Sequence, residues 1–249
     1  MWEYELADVA IMIAALGAGA VVKGATGMGL PLVALPVLAT FFGMQHAICI
    51  MAITQVITNS MQLWQFRAEA GQPQMRFLPW FLLAGGLGVI LGTWLLGTLP
   101  ERVLVLSLGV LLLGYFVLKL TAPHIVVTPR GARLFGPLAG FGSGTLQGAT
   151  GISAPVGVTF IHAMGMERRA HVYAVSAMFL VLGLVQLPAL FISGIMQPEW
   201  VLQAVLAMIP IMLFMPLGQM LAGKLSRRAF DRMILIFLGL IGLKMVLGL

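Results

Sequence analysis

Charge is what this chain has least of. Lys, Arg, Asp and Glu together make up 9% of its 249 residues, against roughly 25% in a soluble domain. So few charges cannot cover a water-facing surface, which excludes an ordinary soluble globule. Cysteine is nearly absent: Cys49 stands alone, so there is no internal disulfide and no cysteine metal cluster. It lies in an apolar run and reads as a small core residue. The eight carboxylates, Glu3, Glu5, Asp8, Glu69, Glu101, Glu167, Glu199 and Asp231, all map to termini or loops. A proton relay of buried Asp or Glu therefore has no candidates. His46, His162 and His171 lie near loop ends and His124 in the central connection, and none makes a paired metal spacing. No Walker sequence, zinc motif or Ser-His-Asp set occurs, so ATP hydrolysis and intramembrane proteolysis are unsupported and no cofactor is called for. The acidic start, residues 1–8, lacks the basic region of a cleaved signal peptide.

What fills the chain is apolar. Hydrophobic residues make up 60% of it, in runs at about 9–22, 30–42, 46–65, 77–98, 103–120, 135–146, 154–164, 171–193, 200–222 and 233–249. Several reach the roughly 20 residues that a helix needs to cross a bilayer. The net charge of +6 is not a nucleic-acid footprint, because the basic residues sit mostly in short loops between runs; the expected partner is the lipid bilayer. Such loops mark the cytoplasmic side. They hold Arg67 and Arg76, then Lys119, Arg130 and Arg133, then Arg168 and Arg169, and last Lys224, Arg227, Arg228 and Arg232. With these inside, 46–65 runs inward, 77–98 outward and 103–120 inward. The runs 171–193, 200–222 and 233–249 take the opposite directions, and both termini are periplasmic.

One pattern occurs twice. Lys23-Gly-Ala-Thr-Gly-Met-Gly-Leu-Pro31 returns as Gln147-Gly-Ala-Thr-Gly-Ile-Ser-Ala-Pro155, 124 positions later in a chain of 249. The expected fold is an all-α polytopic membrane protein of two inverted-topology repeats, 1–122 and 123–249. Each is a broken helical hairpin followed by three transmembrane helices. The first arms have about 15 residues, and the second arms, 31–42 and 155–165, about 11–12. Paired broken segments in two halves point to a transporter's binding site. Glycine and proline are costly inside a helix, so the break is expected at Gly24–Pro31, with Pro31 and Pro155 each in the first turn of a new helix. Each tip would then present free amides and a partial positive charge to an anion. Thr26 and Thr150 would add hydroxyls. Gly24, Ala25, Gly27, Gly148, Ala149 and Gly151 would let a ligand approach the main chain. The alternative is that these glycines are packing surfaces, a reading that suits Gly85-Gly-Leu-Gly-Val-Ile-Leu-Gly92 better still.

Lys23 is the one basic residue deep in an apolar run and away from its ends, and an intramembrane charge is a functional hypothesis by default. It would supply the full charge that backbone dipoles lack, or else reach an interface or bond free carbonyls. Its counterpart Gln147 is neutral, so the site is electrostatically lopsided. Gln55, Asn59 and Gln62 share one helical face by their spacing, either to hold ligand oxygens or to join helices. Ser176 and Gln186 are the poorer second-half equivalents. The residues themselves imply a small anion.

The duplicated glycine–threonine–glycine–proline hairpins, the central basic loop and a length near 250 residues resemble the sulfite exporter TauE/SafE family of bacterial membrane permeases. That resemblance implies a secondary transporter in the bacterial inner membrane for sulfite or an organosulfonate, and is compatible with a homodimer. Family members often have a denser glycine run at the first hairpin than Gly27-Met28-Gly29-Leu30-Pro31. A membrane assembly protein whose hairpins only pack, and an intramembrane enzyme, are the alternatives.

Overall fold

The computed structural model describes residues 6–121, 126–221 and 227–248; Glu3, Glu5, His124 and Lys224 lie outside them. These residues form eleven α-helices, two short 3₁₀ turns and no strand. The first half holds α1 (Leu6–Thr26), α2 (Leu30–Phe42), α3 (Met44–Gln65), α4 (Leu78–Thr98) and α5 (Glu101–Thr121). The second holds α6 (Pro129–Thr150), α7 (Gly157–Ala163), α8 (Arg168–Ile192), α9 (Pro198–Leu206), α10 (Met208–Leu221) and α11 (Arg227–Leu247). Six segments are long and apolar enough to cross a bilayer: Leu6–Thr26, Met44–Gln65, Pro73–Thr98, Glu101–Thr121, Arg168–Ile192 and Pro198–Leu221. The 200–222 run is divided between α9 and α10, because Pro210 has no amide for the carbonyl one turn back and its ring crowds that turn.

The hairpin arms are unequal. α1 and α6 have 21 and 22 residues, or about 32 Å of helix, longer than the sequence suggested. They begin earlier than the apolar runs and continue through Gly-Ala-Thr. At the start of α6 the Thr128 hydroxyl caps the helix by accepting the Gly131 N–H at 3.2 Å. The returning arms α2 and α7 have 13 and 7 residues, too short to cross.

Packing partners fall into matched pairs. α1 lies along α10 and α6 along α4, α3 faces α8 at the centre, and α5 faces α11. α4 also touches α8, as α9 touches α3. Each long hairpin arm is thus clasped by a helix of the other half.

Small residues make the closest crossing. Gly85, Gly88 and Gly92 on α4 face Gly140, Gly144 and Gly148 on α6. A methyl group added at Gly88 would sit 2.1 Å from the Phe141 carbonyl oxygen, and one at Gly144 1.9 Å from that of Gly85. In lipid, such approach lets backbones gain the van der Waals contact that replaces the hydrophobic effect between helices. The other side of α4 exposes Trp80, Leu83, Leu87, Ile90 and Trp94, which suits hydrocarbon. Both faces are apolar and only side-chain size tells them apart.

Candidate functional site between the hairpin tips

Each Gly-Ala-Thr-Gly stretch closes a helix. α1 runs through Gly24, Ala25 and Thr26, and α6 through Gly148, Ala149 and Thr150. Gly27 and Gly151 follow at φ 82° and 71°, the left-handed conformation that glycine supplies at helix C-termini. The Gly27 N–H reaches the Lys23 carbonyl at 2.7 Å and the Gly151 N–H that of Gln147 at 2.9 Å. The Thr26 hydroxyl donates to the Val22 carbonyl at 2.9 Å and accepts the Met28 N–H at 3.2 Å. Thr150 repeats the arrangement, to Leu146 at 2.7 Å and from Ile152 at 3.4 Å.

Two expectations are thereby corrected. The break starts at Gly27 and Gly151 instead of Gly24 and Gly148, and the threonine hydroxyls serve the tip's own backbone. Pro31 does stand in the first turn of α2, but Pro155 lies in the turn before α7, two residues ahead of Gly157.

Four of the small motif residues turn to neighbouring helices. A methyl group at Gly24 would meet the Met215 carbonyl oxygen of α10 at 2.0 Å, and one at Gly148 the Val89 oxygen of α4 at 2.5 Å. Ala25 and Ala149 put their amide nitrogens 3.0 Å and 2.8 Å from where methyl groups on Gly218 and Gly92 would lie. Gly27 and Gly151 face the middle of the protein, against Val172 of α8 and against Leu35 of α2 and Ile48 of α3. Leucine at Gly24 or Gly148 would therefore collide with a helix backbone before it reached any ligand.

The first residues of the two motifs lead into a buried polar network. The Lys23 ammonium, 2% exposed, donates to Asn59 Oδ1 at 2.8 Å, and Asn59 Nδ2 donates to the Gln55 backbone carbonyl at 2.8 Å. Gln147 Nε2 donates to Gln55 Oε1 at 2.9 Å and to Gln186 Oε1 at 3.2 Å. Gln186 Nε2 donates to the Gln147 backbone carbonyl at 3.1 Å, and the Ser153 hydroxyl to Gln147 Oε1 at 3.0 Å. Farther along α3, Gln62 Oε1 accepts from Ser176 at 3.4 Å. The structure thus joins Lys23, Gln55, Asn59 and Gln147 of the expected set and adds Ser153 and Gln186. The signal for Ser153 was in the repeat: the glycine at position 29 becomes serine where the lysine becomes glutamine.

Charge in this network is unbalanced. Among the described residues the ion pair that forms is Arg169 with Glu69 at 3.0 Å, outside the network. No described carboxylate pairs with Lys23. Three buried polar side-chain atoms lack a hydrogen-bond partner among the described residues: Gln55 Nε2, Thr93 Oγ1 and His171 Nε2. No group of His, Cys, Asp and Glu there could hold a metal.

Open space reaches the first tip. A cavity of about 370 Å³ is lined by Thr26, Met28, Gly29, Tyr115, Lys119 and His162, among others. Beyond it the tips close on each other around a void of about 10 Å³ between Met28, Gly29 and Pro31 of one and Ile152, Ser153 and Ala154 of the other. That is close to the room one water needs.

Broken helices whose tips meet within a bundle of membrane-length spans, with a buried lysine bonded to a neighbouring span, are the features of a polytopic membrane transporter. The sequence profile of the sulfite exporter TauE/SafE family matches residues 11–245, and the chain belongs to that family. It is therefore a multi-pass membrane transporter and not an enzyme, and its family implies a small anion as substrate. No curated protein and no solved structure matches the chain.

Proposed function

We propose that this chain carries sulfite or an organosulfonate across the bacterial inner membrane by alternating access around its two hairpin tips, with Lys23 as the anchor of the anion. The observation that carries this reading is Lys23 itself, 2% exposed and given one amide oxygen as a partner. An ammonium out of water without a counter-charge costs several kcal/mol. A bound anion supplies that counter-charge. Asn59 aims the ammonium, and Gln147, at the matching position of the second hairpin, is its neutral counterpart. The large cavity is the open path and the closed tips are the gate. In this reading 1–122 and 123–249 are inverted repeats, which the matched packing of α1 on α10 and α6 on α4 supports. Both termini then face the periplasm. Single cysteines at positions 2 and 249 are expected to react with an impermeant thiol reagent added outside; labelling from the cytoplasm alone would remove the inverted arrangement.

The close glycine contacts also favour a second reading, in which the hairpins only hold the bundle together. A thermal-shift series on the purified protein separates the two, because a ligand stabilises the state it binds. Sulfite, sulfate, thiosulfate, taurine and sulfoacetate form the panel. The transporter reading expects at least one to raise the unfolding temperature in a saturable way. A flat response to all five would leave the assembly reading.

A further inference from the structure

The amides around Gln147 have a fixed direction. A backbone carbonyl only accepts, so the group of Gln186 that faces the Gln147 carbonyl must be its NH₂. Gln186 therefore presents Oε1 to Gln147, and the group of Gln147 that meets it must again be the NH₂. That NH₂ also points at Gln55, which must answer with Oε1. The Ser153 hydroxyl fits the remaining oxygen of Gln147. One carbonyl thus orients three side-chain amides, and the end of the chain is Gln55 Nε2, a donor 1% exposed and without a partner among the described residues. The same logic runs on α3, where the Gln55 carbonyl fixes Asn59 so that Oδ1 receives Lys23. Gln55 and Asn59 stand one turn apart on one helical face. An orphaned neutral donor therefore stands one helical turn from the asparagine that holds an ammonium with no counter-charge among the described residues. A buried donor left unmade is costly, and what completes both groups is an acceptor with negative charge.

We infer that Gln55 Nε2 is the second donor of the anion site, and that Gln147, Ser153 and Gln186 are positioning residues that hold it as a donor. The inference rests on the proposed anion site at Lys23. One full charge and one neutral donor suit a singly charged oxyanion with at least two free oxygens, the form of a sulfonate or of hydrogen sulfite. A doubly charged ion would keep one charge uncompensated in a dry site.

The test is equilibrium binding of methanesulfonate and of sulfite to the purified full chain. Gln55→Met keeps the length and removes the donor, and is expected to raise the dissociation constant about ten- to hundredfold. Gln186→Met, which releases the orientation of Gln147, is expected to weaken binding several-fold. The double variant should be no weaker than Gln55→Met alone, because no amide is then left to orient. A purely structural Gln186 would add its loss to that of Gln55, and such additivity overturns the positioning role. Gln55→Glu guards against a folding defect in the methionine variant: its carboxylate still accepts from Gln147 and supplies the lysine's missing charge. It is expected to raise the unfolding temperature without anion and to abolish binding. If Gln55→Met or Gln55→Glu binds either anion as the wild type does, Gln55 is not a ligand donor, while the Lys23 site stands. If the wild type binds neither anion, the anion site itself falls, and this inference with it.

Discussion

Purified Lys23→Gln protein is expected to bind sulfite or sulfonate about ten- to hundredfold more weakly than the wild type. A hydrogen bond to a charged group in a partly dry site is worth about 1.5–3 kcal/mol, and each 1.4 kcal/mol is a tenfold change in affinity. Glutamine keeps polarity and most of the length, so packing changes little and charge is the variable. The unloaded variant should unfold at or above the wild-type temperature, since its core no longer holds an ammonium without a counter-charge. Lys244→Gln is the control, because that lysine lies in the last turn of α11, at a span end where a long side chain reaches the interface. An unchanged dissociation constant for Lys23→Gln would mean that the lysine only reinforces the tip, and the anion would have to be held elsewhere.

The second large effect is structural. Gly144→Ala should lower the unfolding temperature sharply, and Gly144→Leu should prevent recovery of folded, monodisperse protein. The first added carbon would stand 1.9 Å from the Gly85 carbonyl oxygen, and neither backbone can yield without parting α4 from α6. Overpacking of a tight core costs about 1–3 kcal/mol and occasionally more; here the obstruction is main chain, and the upper end applies. Gly114→Ala is the matched comparison. Nothing lies within 4 Å of a methyl group there, and alanine is favoured over glycine in a helix by about 1 kcal/mol, so this variant should be neutral or slightly more stable. Equal unfolding temperatures for the two alanine variants would show that the seam is looser than its geometry.

Much of this was legible before the structure. Apolar run length located the long spans, and the isolation of Lys23 from every other charge singled it out. The spacing of Gln55, Asn59 and Gln62 gave their shared face, because helical periodicity survives whatever packs around it. The motif itself leaves two readings open in sequence, free backbone or packing surface. Gly-Ala-Thr-Gly looked like a helix-breaking stretch with free amides, yet its glycine–alanine pair fits between helices and its last glycine is a left-handed cap. A one-dimensional pattern does not reveal whether a glycine lacks a side chain to free the backbone or to admit a neighbouring one. That distinction depends on α10 and α4, dozens of residues away. Ser153 and Gln186 were undervalued for a related reason: an amide's role is set by the direction of the amides around it, which only three dimensions provide.

The two crossings that tie hairpin to opposite half differ in what meets along the seam. α4 and α6 mesh over several turns through glycines on both sides, so neither can slide without lifting the other. α1 and α10 come together backbone to backbone around Gly24 and Gly218, within 2.0–2.1 Å of a would-be methyl group, and side chain against glycine at Gly17, where Phe214 stands 3.1 Å away. The rest of α1 packs along α10 and α2 through side chains, as at Gly19, which lies against Leu30 and Ala34 of α2. The arm that bears the lysine is held mostly by side chains, and the arm that bears the glutamine is bolted to α4 by main chain. The charge therefore sits on an arm seated mainly by side chains, opposite one locked by main chain.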